Sequence, residues 1–381
     1  MQRTIEGINQ AIARGEVVVL TAEEAAKLRE TEGVKAVNEK VDIITTGTFG
    51  MMCSSGLLVN TGHTDPPTRF QKAFVNGVEA YSGLAAVDLY IGATQVSSQN
   101  PEYGGAHVIE ALLRGESVKL KAEGTGTDCY PKKAVETEIT LKDLNQAYLF
   151  NPRNLYQNYA AATNSTDRVL YTYMGKLLPR YGNVNFATSG ELSPLLKDPH
   201  LRTVGIGTRI FLGGTEGYVI WEGTQFNRDT ERDITGVPVS PGATLALVGD
   251  LKSMSQEFIR AGYVPGYGVS LFVGAGIAIP VLDEDIADSA SMPDSQLKTA
   301  ILDYGTQTRE KPEVRRVTYQ ELKSGWVEIN GRKVRAGSRT SLRLSRKIAE
   351  TLKSWIESGN FTLTTPVRKL PVDGTNTPLE V

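Results

Sequence analysis

The stretch Val41-Asp42-Ile43-Ile44-Thr45-Thr46-Gly47-Thr48-Phe49-Gly50-Met51-Met52-Cys53-Ser54-Ser55-Gly56 decides the fold class. Four of its first five residues are apolar or β-branched and predict a strand, and Gly47, Gly50 and Gly56 predict a glycine-rich turn after it. A strand running into such a turn is a common place to build an α/β active site, and Cys53 lies in the turn. Upstream, Ile5, Ile8, Ala11 and Ile12 fall at helical spacing and predict a helix over 4–14, stopped by Gly15. Residues 17–20 read as a buried strand. Thr21 with Glu24 then forms a capping-box signature for a helix over 22–31.

Downstream, residues 105–114 predict a helix, and 117–122 alternate in the period-2 manner of a half-buried strand. That strand runs into Glu123-Gly124-Thr125-Gly126-Thr127-Asp128-Cys129-Tyr130-Pro131-Lys132-Lys133, so Cys129 also sits where a strand gives way to a glycine-bearing turn. Residues 85–96 read as a strand pair or a strand plus turn, 141–147 as helical, and 254–261 as an amphipathic helix. Further strands are expected at 168–173, within the glycine-punctuated segment 204–221, at 243–247 and at 270–282. Near the end, 326–334 predicts a hairpin turning at Asn330-Gly331, and 340–357 an amphipathic helix. The expected class is α/β, a mixed-sheet core with glycine-rich active-site loops and a small C-terminal α+β appendage. Residues 1–310 form the core carrying both cysteines, 311–370 the hairpin and helix, and 371–381 a loose tail.

The 381 residues are 40% apolar, ample for a full core. Lys+Arg 41 against Asp+Glu 43 leaves a net charge of −2 with no basic stripe, which argues against a nucleic-acid binder and for a small-molecule or protein partner. The N-terminus has no secretory pattern, and the strongest apolar run, 269–282, is broken by Gly274, Gly276 and Pro280. A cytoplasmic protein with no membrane partner is expected. Two cysteines in such a chain are incidental or chemical rather than a disulfide framework.

The thiolate is the reactive form of cysteine, so a functional site must stabilise it and keep it accessible. The turn around Cys53 can aim several backbone N–H groups at one point, and a helix opening at Ser54 or Ser55 would add its positive end. Beside Cys129, Lys132 and Lys133 favour a thiolate and Asp128 opposes it. Free cysteines are also common small core residues, and these neighbourhoods alone do not decide. The three histidines, His63, His107 and His200, and the two cysteines make no CxxC or HExxH pattern, so no metal is expected. Gly205-Ile206-Gly207 and Gly274-Ala275-Gly276 are fragments of a dinucleotide fingerprint that neither completes.

Several longer segments carry a resemblance: Gly47 to Gly50, Cys53 to Gly56, Gly62-His63-Thr64-Asp65-Pro66-Pro67 and Gly126 to Pro131. Asn151 to Asn154, Asn164-Ser165, Tyr171 to Gly175 and Gly205 to Gly214 continue it in order along nearly the whole chain. On these the sequence resembles the homocysteine-biosynthesis (HcyBio) family. The resemblance implies L-aspartate-semialdehyde sulfurtransferase activity, which makes homocysteine from aspartate semialdehyde and a sulfide source, and it places Cys53 and Cys129 on the family's two functional cysteines. Some members continue into paired CBS modules and many work beside a small ferredoxin-type protein. Neither is expected within these 381 residues, and their two cysteines are too few for a four-thiolate cluster, so a separate electron carrier is expected.

Exchanging an aldehyde oxygen for sulfur gives a thioaldehyde, and the thiol lies two electrons further. A reductant and a sulfur donor are therefore both needed from outside, with no tightly bound cofactor. A cysteine pair can carry sulfur as a persulfide and resolve it by disulfide exchange. For the substrate carboxylate, Arg209 is the first candidate and Arg153 the second. Thr48, Ser54 and Ser55 are further substrate-binding candidates, and His63 is a proton carrier, with His107 behind it. The competing readings are a cysteine hydrolase or acyltransferase using Cys53 with His63, and a non-catalytic metabolite-binding subunit. The sequence leaves room for a homo-oligomer.

Overall fold

A computed structural model describes residues 3–380. The expected N-terminal elements form: helix Ile5–Arg14 is capped by Thr4 and ended by Gly15 at φ 68°, and helix Ala22–Glu32 opens with the Thr21/Glu24 capping box. Strand Ile43–Thr45 pairs in parallel with Val19–Thr21 and antiparallel with Ala278–Pro280.

The body of the molecule is a nine-stranded sheet in the order Ile259–Val264, Gly268–Gly276, Arg209–Leu212, Thr215–Glu222, Leu245–Asp250, Gln146–Asn154, Gly56–Asn60, Asp88–Gly92. The ninth strand, Thr48–Met51, lies on the other side of Gly268–Gly276, with Met51 opposite Phe272. Only Met52 to Ser55 join it to Gly56–Asn60, near the sheet's far end. Six flat inter-strand steps would cover roughly 29 Å at about 4.8 Å each, whereas this short connection reaches at most about 18 Å. The sheet must therefore curl, and the segment bearing Cys53 closes the seam.

The predicted turn glycines have a packing role. A Cβ on Gly47 would lie 2.1 Å from the Ser345 carbonyl oxygen, and one on Gly276 would lie 2.9 Å from Ile348 Cγ2. Their absence lets helix Leu342–Glu357 settle on the sheet, burying Ile348, Leu352 and Ile356 against Phe49, Phe211 and Phe258. A six-stranded mixed sheet follows the order Glu313–Thr318, Lys298–Asp303, Ala161–Thr163, Asn183–Phe186, Arg332–Ser338, Trp326–Ile329. The C-terminal hairpin turns at Asn330 and Gly331 with φ of 51° and 74°, as its sequence predicts. Its second strand, Arg332–Ser338, pairs in parallel with Asn183–Phe186 from the middle of the chain. A smaller four-stranded antiparallel sheet, Val78–Ala80, Lys72–Val75, Val118–Glu123, Ala134–Ile139, carries the Cys129 turn.

Two predicted helices are absent. Residues 141–147 form a turn leading into strand Gln146–Asn154, and 254–261 lead into strand Ile259–Val264. Strand pairing overrides a weak local helical pattern in both places, with the distant strands Gly56–Asn60 and Leu245–Asp250 for the first and with the next strand, Gly268–Gly276, in a hairpin for the second. Residues 85–96 hold the single strand Asp88–Gly92, residues 46–56 hold two strands around a short loop, and helix Val34–Lys40 was not expected. The class is mixed α and β, dominated by strands. Among the described residues no helix is long and apolar enough to cross a membrane.

Candidate active site

The seam opens into a cavity of about 380 Å³ walled by Thr48, Cys53, Ser54, Arg153, Tyr267 and Arg339 together with further tyrosines and apolar side chains. Cys53 is presented by a pinned loop. The Met52 amide donates to Leu271 O at 2.8 Å, and the Ala93 amide donates to Ser55 O at 2.8 Å. Ser55 Oγ donates to Met52 O and accepts from Asn151 Nδ2, both at 2.7 Å, while Ser54 Oγ donates to Arg153 O at 2.9 Å.

Two hydroxyls point at the Cys53 sulfur, Ser270 Oγ at 3.2 Å and the Tyr267 phenol at 3.4 Å. Both come from the Gly268–Gly276 hairpin region, more than two hundred residues along the chain. A half-buried sulfur with two donors and no carboxylate in its cavity wall is arranged to hold negative charge.

An aromatic wall adjoins the sulfur through Tyr267. Tyr159 donates to the Tyr173 hydroxyl at 2.8 Å, which lies 2.7 Å from that of Tyr304, and the Tyr173 ring meets Tyr267 edge-on at 6.1 Å between centroids. Burial pushes the Tyr156 phenol up to about 12, with Arg153 opposing the rise and Tyr173 and Cys53 adding to it. Burial also raises Tyr159, Tyr304 and Tyr267, the last helped by its bond to Cys53. At neutral pH these phenols stay protonated, so Tyr267 remains a donor.

Of the residues singled out from sequence, Thr48, Cys53, Ser54 and Arg153 meet in this wall, and Ser55 braces it from beneath. The others lie elsewhere. Arg209 is ion-paired to Glu216 and sits over the Phe361 ring, 4.6 Å from its centroid. His107 Nδ1 accepts from the Gly104 amide at 3.2 Å, capping its own helix, and burial lowers its pKa. His63 stacks on Tyr130, with ring centroids 5.8 Å apart, beside the exposed Cys129. That contact lies beyond Asn60, whereas Cys53 precedes Gly56. Cys53 lines the cavity, whereas Cys129 is outside its wall, exposed in the turn between Val118–Glu123 and Ala134–Ile139. Neither is bridged. Among the described residues there is no cluster of three or more metal-ligating side chains.

Sequence reasoning missed Tyr267, Ser270, the tyrosine wall and Arg339. Tyr267 carried a readable signal, an aromatic between Gly266 and Gly268 at a hairpin tip, but Arg339 carried none.

Residues 17–363 match the family described as "Homocysteine biosynthesis enzyme, sulfur-incorporation". A protein of Methanosarcina acetivorans named L-aspartate semialdehyde sulfurtransferase is 50% identical over 375 residues, 98% of this chain and 73% of the relative. One of the same name from Methanocaldococcus jannaschii is 49% identical over 387 residues, 97% of this chain and 74% of the relative. An uncharacterized protein of Methanothermobacter thermautotrophicus is 28% identical over 338 residues, 86% of this chain and 73% of the relative. No solved structure matches.

Proposed function

The chain belongs to the homocysteine-biosynthesis, sulfur-incorporation family, and from that premise we propose that it converts L-aspartate semialdehyde to homocysteine with Cys53 as the sulfur carrier. The observation that carries this reading is the Cys53 sulfur, facing a cavity of metabolite size with two hydroxyl donors on it and two arginines in the wall.

The chemistry balances as follows. The outer sulfur of a Cys53 persulfide adds to the aldehyde carbon, giving Cys53–S–S–CH(OH)R, and the carbonyl oxygen takes up a proton. Tyr267 and Ser270 are placed to bond the inner sulfur, and would hold it as the Cys53 thiolate when the mixed disulfide is split by reduction. Attack by the Cys129 thiolate on that inner sulfur releases HS–CH(OH)R and leaves a Cys53–Cys129 disulfide. Hydrosulfide then opens the disulfide, restoring the persulfide and the free thiol. Loss of water gives the thioaldehyde, and two electrons and two protons give the thiol. This cycle requires the Cys129 turn to travel to the cavity. Alternatively, two electrons from the carrier and two protons split the mixed disulfide into Cys53 thiol and HS–CH(OH)R; Cys129 standing outside the cavity wall favours this second route, in which the incoming sulfur must arrive already oxidised.

The electrons come from outside, from a separate ferredoxin-type carrier in the cytoplasm. A cysteine hydrolase is disfavoured, because no histidine stands in the cavity wall to serve as base. The test is anaerobic incubation of the purified chain with L-aspartate semialdehyde, a low-potential reductant and, in parallel, sulfide or inorganic polysulfide as the sulfur source, assaying homocysteine. Product from the wild type and none from Cys53→Ser supports the reading, and undiminished product from Cys53→Ser rules out Cys53 as the carrier.

A further inference from the structure

We propose that Arg339 is the anchor for the α-carboxylate of the amino-acid substrate, in a slot kept open by Gly175; the proposal rests on the function given above. Arg339 follows strand Arg332–Ser338 and is fixed by its own amide, which donates to Phe186 O at 2.7 Å. Its side chain enters the cavity wall, and its Nε is buried without a hydrogen-bond partner. Among the described residues it has no acidic partner within ion-pair distance. Arg209 shares the buried, unpartnered Nε but is neutralised by Glu216. Arg339 is not neutralised. A half-buried guanidinium with no counter-ion is costly unless something else supplies the anion.

The slot has a specific shape. Gly175 has φ +84°, in the left-handed region, and a Cβ there would lie 3.1 Å from Arg339 Cζ and Nη1 and 3.2 Å from Nε. Glycine therefore lets the flat guanidinium lie against the hairpin backbone next to Met174 and Tyr173 of the wall. A planar guanidinium held this way suits the two oxygens of a carboxylate. Arg153 is the second arginine of the wall, and its charge is felt by Tyr156 and Tyr267, the latter bonded to Cys53.

The test compares L-aspartate semialdehyde with 3-aminopropanal, which keeps the amine and aldehyde but lacks the carboxylate, in wild type, Arg339→Gln, Arg339→Lys and Gly175→Ala. A charge-assisted hydrogen-bond pair predicts that the wild type prefers the semialdehyde in kcat/KM by about 10- to 100-fold or more. Arg339→Gln should lose most of that preference through KM. Arg339→Lys should recover part of it, and Gly175→Ala should weaken it with the arginine still present. Melting temperature and near-UV circular dichroism verify folding, and Arg339→Lys decides the matter if the glutamine variant does not fold. A folded variant without the guanidinium that keeps the wild-type preference overturns the anchor, with the sulfurtransferase reading intact. A wild type that makes no homocysteine overturns that reading, and the anchor with it.

Discussion

Cys53 and Cys129 occupy turns that read alike in sequence, each a glycine-bearing turn after a strand, yet their surroundings in the fold are opposite. Cys53 sits on the seam where a nine-stranded sheet closes, half-buried, with Ser270 and Tyr267 donating to its sulfur. Cys129 stands exposed on a peripheral four-stranded sheet, and its turn is held by backbone bonds between Thr127 and Tyr130. Local sequence places a thiol in a turn. Whether that thiol is poised for chemistry depends on what distant strands bring against it.

The largest expected effect is Cys53→Ser, which should lower homocysteine formation by about 1000-fold or more, as loss of a covalent carrier does. Cys129→Ser sharpens the comparison. Single-turnover sulfur transfer from a preloaded Cys53 persulfide, with reductant present, should persist, and steady-state turnover from hydrosulfide should fall if the disulfide cycle operates. Rapid-quench assay of product separates the two. Next in size, Tyr267→Phe should slow alkylation of Cys53 by iodoacetamide at neutral pH by about 10-fold, the scale of one hydrogen bond to a charged group, while Cys129 is unaffected. Peptide-level mass spectrometry reads both sites at once.

The smallest effect concerns the frame behind the cavity. Lys197 is buried, donates to Met292 O and lies near Glu191 and Asp294, and burial lowers its pKa to about 7. In the unfolded chain it would titrate near ~10.4, so between these values the unfolded state holds the extra proton and stability rises with pH. Below the folded value the penalty for burying the ammonium is fully present. Melting temperature should therefore climb from pH 7 to pH 9, by at most about 1.4 kcal/mol of stability per pH unit, and the slope should flatten in Lys197→Met.

Much of the local structure was legible. The Thr21/Glu24 capping box, the Asn330-Gly331 turn and the apolar stripe of Leu342–Glu357 each follow from a few adjacent residues. Closure of the sheet was not, since it depends on Thr48–Met51 choosing Gly268–Gly276 as its partner. The misread helix at 141–147 has the same cause, pairing with strands far along the chain, whereas 254–261 was lost to a local hairpin with Gly268–Gly276. In the site, Cys53, Thr48, Ser54 and Arg153 were reachable from motif and composition. Arg209 was the more conspicuous arginine in its glycine-rich segment, but Glu216 lies across the hairpin from it and takes up its charge. Arg339 stands in no motif, and its exposure to the cavity depends on Gly175 approaching from a different sheet.

The most direct measurement is to treat the reduced wild type and the Cys129→Ser variant with inorganic polysulfide under anaerobic conditions, add L-aspartate semialdehyde, and follow the Cys53 peptide by mass spectrometry. One added sulfur atom on Cys53 in both proteins, discharged on addition of the semialdehyde and reductant as homocysteine appears, is the expected result. Sulfur carried on Cys129 alone, or a loaded Cys53 that the semialdehyde leaves untouched, would contradict it.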